Sequence, residues 1–203
     1  MSVKSRRTEH SAATRAALIR VARRMFAERG YAATSTEEVV RRARVTRGAL
    51  YYHFRDKRDL FLAVLDEEQK KLAARTNEAA AARQDPWDAM AAGSNAFLDA
   101  CLDPAVQQIV LIDAPAVLGP EQWREADQSY YLAATKTAIE AAVAMGMAEK
   151  QPVDALAHII LGALTEAAML IAHADDKVIA RRDVSSVVER LFAGLRGNPR
   201  SRK

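Results

Sequence analysis

The stretch T-R-G-A-L-Y-Y-H-F, Thr46 to Phe54, gathers side chains suited to phosphate oxygens and base edges. Thr46 offers a hydroxyl and, at a helix start, a backbone amide to a phosphate. Arg47 is long enough to set its planar fork against guanine O6 and N7. Gly48 has no side chain to hold a duplex away. Tyr51, Tyr52 and His53 add hydrogen bonds to phosphate or contacts with thymine methyl groups. Lys57, a few residues on, is placed for another phosphate. Ala49 and Leu50 are left to face inward, and Val39, Ala43 and Val45 can form their apolar seat. Taken singly, each residue has a plainer reading. Aromatic residues at helical spacing are more often core than contact, and a lone histidine is more often internally satisfied. Phe54 and Phe61 are assigned to packing on that ground.

Such a segment needs a helix that presents it and two helices that hold it. The apolar residues Leu18, Ile19, Ala22, Met25 and Phe26 recur at helical spacing, which predicts a first helix from about Ala12 to Arg29. Gly30 can take the left-handed position that ends it. Ser35 can cap a second helix, with Glu38 three residues later as a possible capping box, and that helix ends near Ala43. Thr46 caps a third, ending near His53. A long fourth helix follows, with Leu60, Phe61, Val64, Leu65 and Leu72 inward. Three short helices in about fifty residues, carrying 15 Lys and Arg against 6 Asp and Glu in residues 1–60, suggest a helix-turn-helix. The other residues, 61–203, carry 15 basic against 20 acidic. A basic head on an acidic body is what a DNA-binding head on a regulatory body would need, and a chance excess of solvated arginine is the plainer alternative.

At this point the chain resembles a known family. The run from Gly30 to Leu60, G-Y-A-A-T-S-T-E-E-V-V-R-R-A-R-V-T-R-G-A-L-Y-Y-H-F-R-D-K-R-D-L, is similar to the DNA-binding domain of TetR-family regulators. Arg15, Ile19, Ala22 and Phe26 fit the first-helix pattern. The resemblance implies that Thr36, Thr46, Arg47, Gly48, Tyr51, Tyr52, His53 and Lys57 touch DNA. Tyr51 and His53 would meet the backbone, and Arg47 and Tyr52 would tune operator sequence. Two residues depart from the pattern. Val40 stands where alanine is usual, and Arg44 where the turn normally has glycine. A non-glycine residue in the left-handed region costs about 1 kcal/mol, and Arg44 can add a phosphate contact.

Beyond the head, proline marks helix starts. Asp85-Pro86 and Asp103-Pro104 read as cap and first position, and Gly119-Pro120 and Gln151-Pro152 also place proline to open a helix. Helices are expected over 86–102, 104–112, 120–145, 152–174 and 178–196, with the polar, basic tail Gly197 to Lys203 fraying. The fold class is therefore all-α: a three-helix helix-turn-helix domain, residues 1–60, and a helical ligand-binding and dimerisation domain, residues 61–203. Leu156, Ile159, Ile160, Ala163, Leu164, Ala167, Leu170 and Ile171 on one late helix form a broad apolar face. So do Val184, Val187, Val188, Leu191, Phe192 and Leu195 on the next. The resemblance makes this pair the homodimer surface, and two heads about one DNA turn apart would read a palindrome. It also implies a small-molecule effector in the middle helices. Candidate lining residues are Phe97, Cys101, Ile109, Ile112, Asp113, Trp123, Tyr130, Tyr131, Glu166 and Met169. Each has a bland alternative: Asp113 can cap the helix at Ala114-Pro115, Glu166 can pair with an arginine across a dimer, and Cys101 can be a small buried apolar residue. The segment Asp113 to Glu125 also resembles a C-terminal domain type of actinobacterial members.

Several classes are disfavoured. The four histidines form no H-E-x-x-H, and the single cysteine gives neither a zinc pair nor a disulfide. There is no G-x-S-x-G elbow and no phosphate-cradling glycine loop. No catalytic residue, metal or cofactor is expected. No apolar run approaches the ~20 residues that cross a bilayer, and the start is not a secretory signal, so no membrane partner is expected and the location is expected to be cytoplasmic. A basic head that holds an acidic protein is the remaining rival, and activation stays open beside repression.

Overall fold

Helix α1 runs Val3–Ala33, well ahead of the expected start at Ala12. Its first turns lack Gly and Pro, and their Lys, Arg and Glu are good helix formers, so the helix extends without an apolar stripe to reveal it. The computed structural model describes residues 3–196, and every regular element among them is helical. The tail Gly197 to Lys203 lies outside the described residues. Contacts divide the chain into two compact units, Met1–Glu68 with Pro104–Gly119, and Gln69–Asp103 with Pro120–Lys203. The expected boundary at residue 60 falls within α4, which spans Lys57–Ala81.

In the first unit, Leu18, Ile19, Ala22, Met25 and Phe26 of α1 are fully buried, as their spacing predicts. Gly30 breaks the helix with φ 77 and ψ 168. A side chain there would stand 3.1 Å from Gln108 Nε2, so the position needs glycine twice over. Helix α2, Thr36–Ala43, is capped by the Ser35 hydroxyl, which accepts from Glu38 N–H at 3.2 Å. Only half the capping box forms in the hydrogen bonds seen, because the Glu38 carboxylate pairs with Arg29 and Arg42 at 2.9 Å. Helix α3, Arg47–His53, is capped by Thr46, whose Oγ1 accepts from Ala49 N–H at 3.1 Å. Phe26, Tyr31 and Phe61 form an aromatic cluster with centroids 5.1–5.9 Å apart, Phe61 edge-on to the other two rings.

The segment 104–119 was expected to hold one helix to residue 112. It is α6, Pro104–Val106, a π-helical stretch, Gln107–Asp113, and α7, Ala114–Leu118. This segment packs on α1. Gln107, Ile109, Val110 and Leu111 are buried there, and the wider turn, closed by Ala114 N–H on the Ile109 carbonyl, belongs to a rare helix type that often marks functional sites.

The second unit holds the later part of α4, then α5 (Pro86–Ala100), α8 (Pro120–Ser129), α9 (Leu132–Ala144), α10 (Val153–His173) and α11 (Lys177–Leu195). Asp85 caps α5 by accepting from Trp87 and Asp88 N–H, with Pro86 at the first position as expected. The single helix expected over 120–145 is broken at Tyr130 and Tyr131. No Gly or Pro lies there; Tyr131 is instead drawn inward, its ring 5.7 Å from Phe97. Helix α5 packs against α9, α10 and α11 around Trp87, Leu98, Ile139, Ile171 and Phe192. Helix α10 is long and apolar enough to cross a membrane, which corrects the expectation that no run approaches that length. Its composition follows from packing: Ala157, Ile160, Leu161, Ala167, Ala168 and Ile171 are buried among its neighbours.

Candidate nucleic-acid interface and ligand cavity

Helix α3 divides its side chains cleanly. Leu50 is fully buried and Ala49 half-buried, over buried Val39 and half-buried Ala43 and Val45. Thr46, Arg47, Gly48, Tyr51 and Tyr52 are exposed, Tyr52 to 78%. The Arg47 guanidinium lies 5.5 Å from the centre of the Tyr51 ring, a cation–π contact that pre-sets the arginine without burying its charge. Half-buried His53 packs edge-on to Tyr52 with centroids 5.0 Å apart. Phe54 and Phe61 are buried. Arg44 ends α2 at φ 56 and ψ 41, a left-handed arginine where the usual turn has glycine, with its side chain exposed. It is the one non-glycine residue with positive φ among the described residues.

Besides Thr46, which caps α3, two of the expected DNA contacts already donate to partners within the head. The Thr36 hydroxyl donates to Glu37 Oε2 at 3.3 Å. The Lys57 ammonium donates to the Ala32 carbonyl at 3.3 Å and sits 4.3 Å from the centre of the Tyr31 ring. Partial burial lowers the Lys57 pKa, partly opposed by the Asp113 charge. Asp113 does not cap α7, which has no side-chain cap. Its Oδ2 accepts from Tyr31 N–H at 2.7 Å and its Oδ1 from Gln108 Nε2 at 3.1 Å, so it caps the broken end of α1. Burial raises its pKa, against those two bonds and Lys57.

The head also holds a charge pair that pattern reading did not single out. Glu68 is 3% exposed, and Arg23 grips it with both arms, Nε to Oε1 at 2.7 Å and Nη2 to Oε2 at 2.8 Å. A signal was present: Glu68 falls on the Leu60–Val64–Leu65–Leu72 stripe at helical spacing.

The second unit holds a partly open cavity of about 110 Å³ between α4, α5, α8, α9, α10 and α11. Of the candidate lining residues, Phe97 and Tyr131 border it. Trp123, Glu166 and Met169 come together instead along a broader groove by α8, α10 and α11. Neither lining contains Cys101, Ile109, Ile112, Asp113 or half-buried Tyr130. Ile109, Ile112 and Asp113 belong to the first unit. Cys101 is fully buried, and desolvation, then the Asp127 charge, pushes its thiol up to about 12. Such a thiol is inert at neutral pH.

The residue that sequence reading missed is Asp127. It is 6% exposed and borders the cavity with Thr165 and Tyr131. Gln69 Nε2 donates to its Oδ1 at 2.8 Å, and the Tyr131 hydroxyl donates to Gln69 Oε1 at 3.4 Å. Desolvation raises the Asp127 pKa, against the bonds from Gln69 and Thr165. Its spacing, four residues after Trp123 and four before Tyr131, places it on one helical face with both and could have flagged it. Among the described residues, no group of three or more His, Cys, Asp or Glu could hold a metal ion.

A helix-turn-helix with its recognition face bare, joined to a helical unit with its own cavity, defines a class of transcriptional regulator. A model of bacterial regulatory proteins of the tetR family matches residues 18–64, and one of the tetracyclin repressor-like C-terminal domain matches residues 87–195. The chain belongs to the TetR family of DNA-binding transcriptional regulators. A TetR-family regulator of known structure from Pectobacterium atrosepticum is 34% identical over 94% of this chain and 98% of its own, with a TM-score of 0.82. RolR, solved in complex with its ligand resorcinol, shares the fold at a TM-score of 0.68 and 18% identity, over 97% of each chain. The transcriptional regulator AcrR of Shigella flexneri is 39% identical over 69 residues, 34% of this chain and 32% of that protein. Likeness to that curated relative thus spans about a third of its length, whereas likeness to the Pectobacterium structure runs nearly end to end.

Proposed function

We propose that the chain is a dimeric cytoplasmic repressor that grips a palindromic operator through α3 and leaves it when a small molecule fills the cavity of the second unit. The exposed face of α3 carries the DNA-binding half of this reading: Arg47, Tyr51 and Tyr52 project from a helix whose opposite side is fixed by Leu50. Arg47 and Tyr52 read base edges, Tyr51, His53 and Thr46 meet backbone phosphates, and Gly48 admits the backbone. Arg44 adds a phosphate contact from the turn. Lys57 and Thr36 serve the backbone only by exchanging their present partners.

The dimer is supported by what α10 and α11 leave uncovered. Ile159 and Leu170 of α10 are exposed, as are Val178, Ile179, Val187 and Leu191 of α11. Six large apolar side chains on two adjacent helices are more than a monomer normally leaves to water. A second copy would bury them in a four-helix interface. Release by ligand is supported by the apolar-lined cavity and by RolR, which has this fold and holds resorcinol. Differential binding of about 2.7 kcal/mol would lower operator affinity 100-fold.

The test is a footprint on the DNA upstream of the chain's own gene, with sedimentation to give the oligomeric state. Protection of a palindrome with a steep salt dependence supports the reading. Protection insensitive to sequence would leave a basic head that serves another partner.

A further inference from the structure

The cavity of the second unit has one ionisable acid in its wall and no base. Its polar lining is otherwise neutral: Asn77, Ser94, Thr76, Thr135, Thr165 and Tyr131. Asp127 is the acid, and its two oxygens are served unequally. Oδ1 takes a full hydrogen bond from Gln69 at 2.8 Å. Oδ2 has only the Thr165 hydroxyl, at 3.3 Å. That hydroxyl has one proton, and the Leu161 carbonyl competes for it at the shorter distance of 2.9 Å. Oδ2 is thus left with a shared donor on a carboxylate that is only 6% exposed. Arg181, whose charge is felt at the neighbouring Cys101, is tied elsewhere, to Asp99 at 2.8 Å and to Asn95 at 3.0 Å.

We propose that this cavity takes a primary amine in its protonated form, carried on a small aromatic body, with the ammonium held by Asp127 Oδ2. The inference rests on the reading of this cavity as the effector site and adds the chemical class of the effector. An ammonium brings Oδ2 an unshared donor beside the Thr165 hydroxyl and brings the wall the positive charge it lacks. Phe97, Tyr131 and Phe192 supply aromatic surface beside it, where a cation is further favoured by ring faces. At about 110 Å³ the space suits a body on the order of one ring. A carboxylate ligand would meet Asp127 as a like charge, and a neutral alcohol would supply the donor without the charge.

Calorimetric titration of the full chain with 2-phenylethylamine, 2-phenylethanol and 3-phenylpropionate tests this directly. The amine is expected to bind roughly tenfold or more tighter than the alcohol, and the acid weakest. In Asp127→Asn the amine should lose that advantage while the alcohol binds as before. The wild-type ranking alone decides the matter should the variant fail to fold. Amine binding no tighter than alcohol binding, no amine binding at all, or an amine preference that survives Asp127→Asn would overturn the proposal. Operator affinity measured with the same three compounds separates the two readings. An amine that binds as expected but leaves operator affinity unchanged keeps the site and removes the release mechanism. Release by the alcohol or the acid, without preference for the amine, keeps the release mechanism and removes the amine.

Discussion

Glu68 and Asp127 are carboxylates buried to nearly the same degree, one in each unit, and they are treated in opposite ways. Glu68 is met by both arms of Arg23. Asp127 receives only neutral donors, one of them shared. In the head the charge is balanced inside the fold, which suits a part that must present α3 in one fixed posture. In the second unit the balance is left incomplete beside a cavity, the feature on which the amine proposal rests. Burial alone does not distinguish the two carboxylates; the inventory of their partners does.

The largest effect should come from breaking the balanced pair. Arg23→Ala removes the bidentate partner of Glu68 and should cost up to about 3 kcal/mol in urea unfolding, at the low end for a buried pair because Arg23 is a third exposed. A loss below about 0.5 kcal/mol, the scale of a surface pair, would erase the contrast. Replacing both partners, Arg23→Met with Glu68→Leu, should recover most of that loss, since an apolar pair needs no compensating charge.

Asp127→Asn should act with the opposite sign and raise the stability of the ligand-free chain at neutral pH. The sign follows from its raised pKa. The folded chain holds the proton more tightly than the unfolded one, whose carboxyl titrates near 3.9. The contribution is therefore whole below that value, falls as pH rises through the folded pKa, and stays lost above it. The stability gap between variant and wild type should widen across that window and then level off. A gap that narrows with rising pH would mean that Asp127 is satisfied after all. The smallest effect is local. Arg44→Gly should gain no more than about 1 kcal/mol by relieving the left-handed turn, while weakening operator binding slightly if the arginine touches a phosphate.

Much of the head was legible in the sequence because its signals are local. The apolar stripe of α1, the Ser35 and Thr46 caps, the Gly30 break and the departure at Arg44 each declare themselves within a turn or two. The Asp-Pro and Gly-Pro punctuation likewise marked the starts of α5, α6 and α8. What could not be read depends on distant partners. The break between α8 and α9 follows the inward pull on Tyr131, not a breaker residue. The turn from α-helix to π-helix over Gln107–Asp113 packs against α1, about eighty residues earlier, where Asp113 closes the end that Gly30 opened. Glu68 and Asp127 both lay on inward helical faces, but only their partners, 45 and 58 residues away, gave them opposite roles.

The central claim is that the bare face of α3 reads an operator. Fluorescence anisotropy with the palindrome upstream of the gene, for wild type and for Arg47→Ala and Tyr52→Ala, tests it most directly. Each variant should lose about 1–3 kcal/mol on that palindrome and much less on scrambled DNA, so that specificity falls along with affinity. Equal losses on both DNAs, or none on either, would contradict it.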